Sequence, residues 1–150
     1  MPEPNVNQTQ PKFGDAIRDA FDADTDPASE YYSKTVADPN CPFCQRIDAN
    51  DYEQSFNAAV VRFEPLNPVT PGHMLFVPTW HVEHPSGEAV RLAMGYAETY
   101  ASRRREAFNL ITSSGAAATQ TVPHLHVHYV PRRDGDGLHL PWTGQKRDYP

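Results

Sequence analysis

The chain has 150 residues, of which 39% are hydrophobic and 21% charged, enough for one core of ordinary size and too few for two domains. Fifteen prolines, roughly twice average usage, argue against a helical bundle and for strands joined by rigid turns. The net charge of −6 sits mainly in residues 1–40, which hold eight acids and three bases; the rest holds eleven and ten, with none of the basic surplus that duplex nucleic acid demands.

Two cysteines are too few for a disulfide scaffold. No apolar run approaches the roughly 20 residues of a membrane span, and the polar N-terminus has no signal-peptide core. The expectation is a soluble, cytoplasmic protein without membrane contact.

Residues 1–37 are acidic and rich in Pro, Asn, Gln, Asp and Thr, the composition of a largely disordered leader. Within them Phe13, Ala16, Ile17, Ala20 and Phe21 have helical spacing. The folded domain is expected over residues 38–150. Ala58–Phe63 and His73–Val77 read as strands, with the turn-rich Pro65–Gly72 between them. Ser86 is placed to cap a helix over 87–107, on which Val90, Ala93, Met94, Ala97, Tyr100 and Ala101 recur at three and four. Asn109–Thr112 reads as a further strand, and His124–Val130 alternates cleanly as another. Strands, one long helix, then more strands predict an α+β domain: an antiparallel sheet with the helix packed on one face.

The densest chemical pattern is His124-Leu125-His126-Val127-His128-Tyr129-Val130. On a strand its three imidazoles project to one side, about 6–7 Å apart, and its apolar residues to the other. Such a row suits metal binding, or phosphoryl chemistry in which a neutral imidazole attacks phosphorus. A second pattern, Cys41-x-x-Cys44, is half of a tetrahedral zinc site and needs two more ligands; a reduced pair or a redox dithiol are the other readings.

The row resembles the signature of the histidine triad (HIT) superfamily, His-φ-His-φ-His-φ-φ with φ apolar. The resemblance extends through Gly115-Ala116-Ala117-Ala118-Thr119-Gln120-Thr121-Val122, through Pro71-Gly72-His73-Met74-Leu75-Phe76-Val77-Pro78 and through Cys41-Pro42-Phe43-Cys44, covering residues 41–133. It implies a nucleotide hydrolase or nucleotidyltransferase acting on the α-phosphate of a small nucleotide conjugate through a nucleotidyl-histidine intermediate. His126 would be the nucleophile and His128 would bind phosphate oxygens or the leaving group. Gln120 and Thr121 would reach the phosphate. In a zinc-containing branch His81 and His124 would join Cys41 and Cys44 around a structural zinc, with His84 a nearby competitor for His81. The family commonly pairs into homodimers.

Three positions depart from the family pattern. Ser113 stands where an asparagine is common, and Thr119 where the loop usually has glycine. The frequent ribose-binding Asp falls on Pro65, leaving Glu64 as the group that could accept from ribose hydroxyls. Two other readings stay open: a module that binds or senses nucleotides without useful turnover, and a metal-dependent enzyme using His126 and His128 as ligands. Asn109 reads as structural and Trp80 as an interface or packing residue, while Arg132, Arg133 and Trp142 lie where a tail could fold over the site and read equally as plain surface residues.

Overall fold

The computed structural model describes residues 37–140. Residues 1–36 of the acidic leader, with the helical spacing at Phe13–Phe21, lie outside the described residues, as does Trp142.

Among the described residues the first element is a helix absent from the sequence expectation: α1, Pro42–Asp48, with Cys41 at its N-cap. Pro42 occupies the first turn, where its fixed φ suits a helix and its missing N–H leaves no bond unmade. The short strand β1 (Gln54–Phe56) then turns into β2 (Val60–Phe63) through Asn57 and Ala58, both at positive φ (46° and 53°). The Ala59 N–H donates to the Phe56 carbonyl at 2.9 Å. Two such residues in succession match the right-handed twist of the flanking strands. This turn takes the first two residues of the strand expected at 58–63.

β3 (Met74–Pro78) pairs antiparallel with β2, setting Val61 opposite Val77 and Phe63 opposite Leu75. After it come α2 (Gly87–Ser102), β4 (Phe108–Ile111), a single 3-10 turn (Ala116–Ala118) and β5 (Val127–Pro131). The sheet has the order β1-β2-β3-β5-β4, antiparallel throughout, which is the α+β class expected.

Helix α2 stops at Ser102 rather than at residue 107. Its last apolar residue at helical spacing is Ala101; three arginines follow, and Arg105 at φ 54° swings the chain toward β4. Its buried stripe is Ala89, Leu92, Ala93, Tyr96, Ala97 and Ala101. Val90, Met94 and Tyr100, expected on that stripe, are only half-buried along its flank. The alanines let the helix lie close to the sheet, where Phe76 and Tyr129 supply the bulk.

Alternation along the strands divides the core in two. Val60, Phe76, Val127 and Tyr129 face α2, whereas Val61, Phe63, Leu75 and Val77 pack with Cys41, Phe43 and Cys44 of the α1 segment. The sheet is therefore covered on both sides around its middle strands. Ladder pairing in β5 begins at Val127, three residues later than expected; before it, the Leu125 N–H donates to the Val82 carbonyl (2.6 Å).

Candidate functional site

The histidine row lies on the α1 side of the sheet. The Phe43 ring meets His126 edge-on, with centroids 5.2 Å apart, and reaches His124 at 5.9 Å. His124 is sealed and His126 is 4% exposed, while His128 is half-buried.

At the closed end, His124 Nε2–H donates to the Pro78 carbonyl at 3.0 Å, because a carbonyl oxygen can only accept. Its Nδ1 is thereby left with a lone pair, lying 3.4 Å from Cys41 Sγ and 3.6 Å from Cys44 Sγ. Cys44 Sγ lies 3.5 Å from His81 Nδ1, and all four ligand atoms fall within 4.8 Å of one another. Ordinary Zn–S and Zn–N bonds at tetrahedral angles put nitrogen and sulfur about 3.6 Å apart, so the donor set and spacing fit zinc. His84 turns elsewhere, its Nδ1 2.9 Å from Ser114 Oγ, and the cysteines keep His81 as their partner. Burial, with the adjacent Cys41, pushes the Cys44 thiol up to about 11; a cation between the sulfurs would reverse that preference.

At the open end the second ring nitrogens are again committed, and the commitments fix the tautomers. His126 Nδ1–H donates to the His124 carbonyl at 2.7 Å, leaving an Nε2 lone pair. The Val69 N–H donates to His73 Nδ1 at 3.2 Å, so the His73 proton resides on Nε2 and is donated to His128 Nδ1 at 2.9 Å. His128 therefore carries its own proton on Nε2. A base and a donor stand side by side, with ring centroids 4.8 Å apart. Burial lowers the pKa of His126, and burial with the neighbouring His126 and His73 pushes His128 down to about 4, so both rings are neutral at neutral pH. Burial, then His126, likewise lowers His73.

Both rings line a cavity of about 710 Å³. Ser113 and Thr121 stand in its wall beside them, together with Thr119. Gln120 does not: its Oε1 accepts from the Gly115 N–H (2.7 Å) and its Nε2 donates to the Glu83 carbonyl (2.9 Å), tying the loop shut. Glu64 is exposed outside the wall, and only its carbonyl is engaged, by Arg46 at 3.2 Å. Pro65, Leu66 and Val69 also line the cavity, as do Leu138, His139 and Leu140.

Three participants carry no role in the sequence reading. His73 was visible inside the Pro-Gly-His motif, but its service to His128 rests on a contact 55 residues away. Phe43 and Arg46 enter the wall through α1, a helix too short to show periodicity. Among the described residues no helix is long and apolar enough to cross a membrane.

The HIT domain family model matches residues 55–135. An uncharacterised HIT-like protein of Methanocaldococcus jannaschii is 31% identical over 109 residues, covering 65% of this chain and 82% of its own length. Adenosine 5'-monophosphoramidase of Saccharomyces cerevisiae is 28% identical over 119 residues, covering 75% of each chain. A zinc-bound histidine triad family protein from Mycobacterium smegmatis superposes with a TM-score of 0.57 at 29% identity, covering 67% of this chain and 80% of that one. With the triad strand and its three imidazoles inside the matched residues, the chain belongs to the HIT family.

Proposed function

We propose that this protein hydrolyses nucleotide conjugates, or transfers their nucleotidyl group, by covalent catalysis at His126. The observation that carries the reading is the tautomer pairing: an Nε2 lone pair on His126 beside an Nε2–H on His128, each set by the partner of the opposite nitrogen. In the first step the His126 lone pair attacks the α-phosphorus, an N–P bond forms, and the bond to the leaving group breaks with its electrons going to that group. The Nδ1–H donated to the His124 carbonyl steadies the positive charge that appears on the ring. His128 Nε2–H and the hydroxyls of Ser113, Thr119 and Thr121 serve the phosphate oxygens. The departing group takes up a proton from solvent; water or another acceptor then attacks phosphorus from the vacated side, returns a proton to solvent, and releases the nucleotide and free His126.

The resemblance to adenosine 5'-monophosphoramidase supports a phosphoramidate as the probe. Rapid quenching with adenosine phosphoramidate, followed by mass spectrometry of peptides, should find a nucleotidyl adduct on the peptide holding His126. Turnover without such an adduct, retained in His126→Ala, would overturn the mechanism.

The convergence of Cys41, Cys44, His81 and His124 supports a structural zinc. Four protein ligands would close its coordination sphere, and its contribution would be to tie α1 to the start of the triad strand. A homodimer is supported by the open edge of β4, where Phe108 is part-exposed, and by the half-buried flank of α2. Light scattering on the purified chain tests it.

A further inference from the structure

Two arginines stand in the cavity wall, Arg46 and Arg132, and they are held in different ways. Arg132 is fully engaged. Its Nε and Nη2 grip the two Asp136 oxygens (2.7 and 3.0 Å), Nη1 donates to Asn109 Oδ1 and Nη2 to the Leu138 carbonyl (each 2.7 Å). That grip holds the Asp136 carboxyl well below the usual carboxylate range and folds the C-terminal segment against the cavity. It leaves no free edge for a ligand.

Arg46 keeps one. Its Nε donates to Asp51 at 2.7 Å, but that carboxylate is 64% exposed and strongly screened. Its Nη1 reaches the Glu64 carbonyl at 3.2 Å, and its guanidinium carbon lies 4.1 Å from the centroid of the Phe63 ring. Among the described residues no acceptor meets Nη2, and this atom is not sealed from solvent. Stacking, ion pair and carbonyl together hold a planar cation in one attitude with donors to spare.

Its position gives those donors a target. Phe43 touches His126 on one side and packs edge-on to Phe63, at 5.4 Å, on the other; Arg46 lies on that Phe63 ring. With phosphate at His126, the part of a nucleotide reaching toward Arg46 is the nucleoside. The nearby wall of Pro65, Leu66 and Val69 is apolar enough to cover a base.

Resting on the nucleotide reading above, we propose that Arg46 makes this site select nucleotides whose base presents carbonyl acceptors, guanine foremost, over adenine. Guanine offers O6 and N7 to a guanidinium fork, whereas adenine sets an amino group where O6 would be. Asn67, in the same wall three residues beyond the carbonyl that Arg46 holds, brings an amide oxygen able to accept from the guanine N1–H edge.

Calorimetric titration of the full chain with GMP and with AMP tests this directly. GMP should bind about tenfold more tightly. Arg46→Met keeps an unbranched stem over Phe63 and loses every donor, and should bring the two within about twofold while AMP affinity barely changes. A purely structural arginine would weaken both nucleotides together. Asp51→Ala removes the acceptor from Nε and should widen the GMP preference; it decides the matter if Arg46→Met does not fold. Equal affinities in the wild type, a preference for AMP, binding of neither, or a ratio unmoved by the variants would overturn the proposal. Failure of the catalytic reading shows separately, as protein that binds GMP but turns over no phosphoramidate.

Discussion

His124 and His126 sit two residues apart, on one face of one segment, and both are buried; their chemistry is opposite. His124 gives its Nε2–H to Pro78 and turns Nδ1 toward two sulfurs in a closed cluster. His126 gives its Nδ1–H to the His124 carbonyl and is left with Nε2 at a cavity. A single backbone carbonyl on each ring decides which nitrogen is free, and thereby whether its lone pair is turned to the sulfurs or to the cavity. Residue type and spacing are the same for both, so the difference belongs to the acceptors around them.

That contrast can be broken at either end. His126→Ala should cut turnover of adenosine phosphoramidate by at least about 10³-fold with little change in melting, since it removes the route itself. Near-normal rates in that variant would erase the distinction between the two ends. Cys44→Ser should act in the opposite sense. Elemental analysis should fall from about one zinc per chain to a small fraction, melting should drop by about 10 °C, and the protein that stays folded should still form the His126 adduct.

The contrast can also be sharpened through His73, which sets the tautomer of His128 without lining up for attack itself. His73→Gln should lower kcat by about tenfold to a hundredfold while changing KM little. Equal losses in kcat and nucleotide affinity would mean that His73 shapes the cavity and does not orient the donor.

The smallest effect concerns pH. Folding pushes His128 down to about 4, below its ordinary 6.5, so the unfolded chain binds the proton more readily. Its contribution to stability is complete above the unfolded value and is lost as pH falls from about 6.5 toward 4. Between pH 7 and pH 5 the melting temperature of wild type should therefore fall by about 5 °C more than that of His128→Gln. Parallel melting curves would show that His128 is no more reluctant to charge than a solvated imidazole.

Much of this arrangement was legible before any coordinates. Period-two alternation placed the triad, and three-four recurrence placed α2, because each reflects a long face pressed against a core. What escaped was short or non-local. Helix α1 has two turns and one buried aromatic, and β1 has three residues with no buried side chain, so neither carries a period to read. The end of α2 was extended five residues too far because Arg103–Arg105 are good helix formers; the turn at Arg105 is made by tertiary demand. Glu64 and Gln120 have side chains of a chemical type that suits a nucleotide; their contacts here are a carbonyl held by Arg46 and an amide bonded to Gly115 and Glu83. Whether an amide faces phosphate or backbone depends on which rotamer it takes, which residue identity does not encode.

Thr119 has a consequence for how a ligand is received. It ends the 3-10 turn at φ 66°, ψ 22°, the left-handed shape that glycine adopts freely and a β-branched residue reaches only at an energetic cost. The loop thus keeps a glycine's conformation without a glycine's freedom. A glycine there would let the empty loop wander and would surrender that wandering whenever anion arrived. Threonine forgoes it at folding, so the loop meets each ligand already set, and capture of the anionic group should register mostly as enthalpy, with little ordering left to lose.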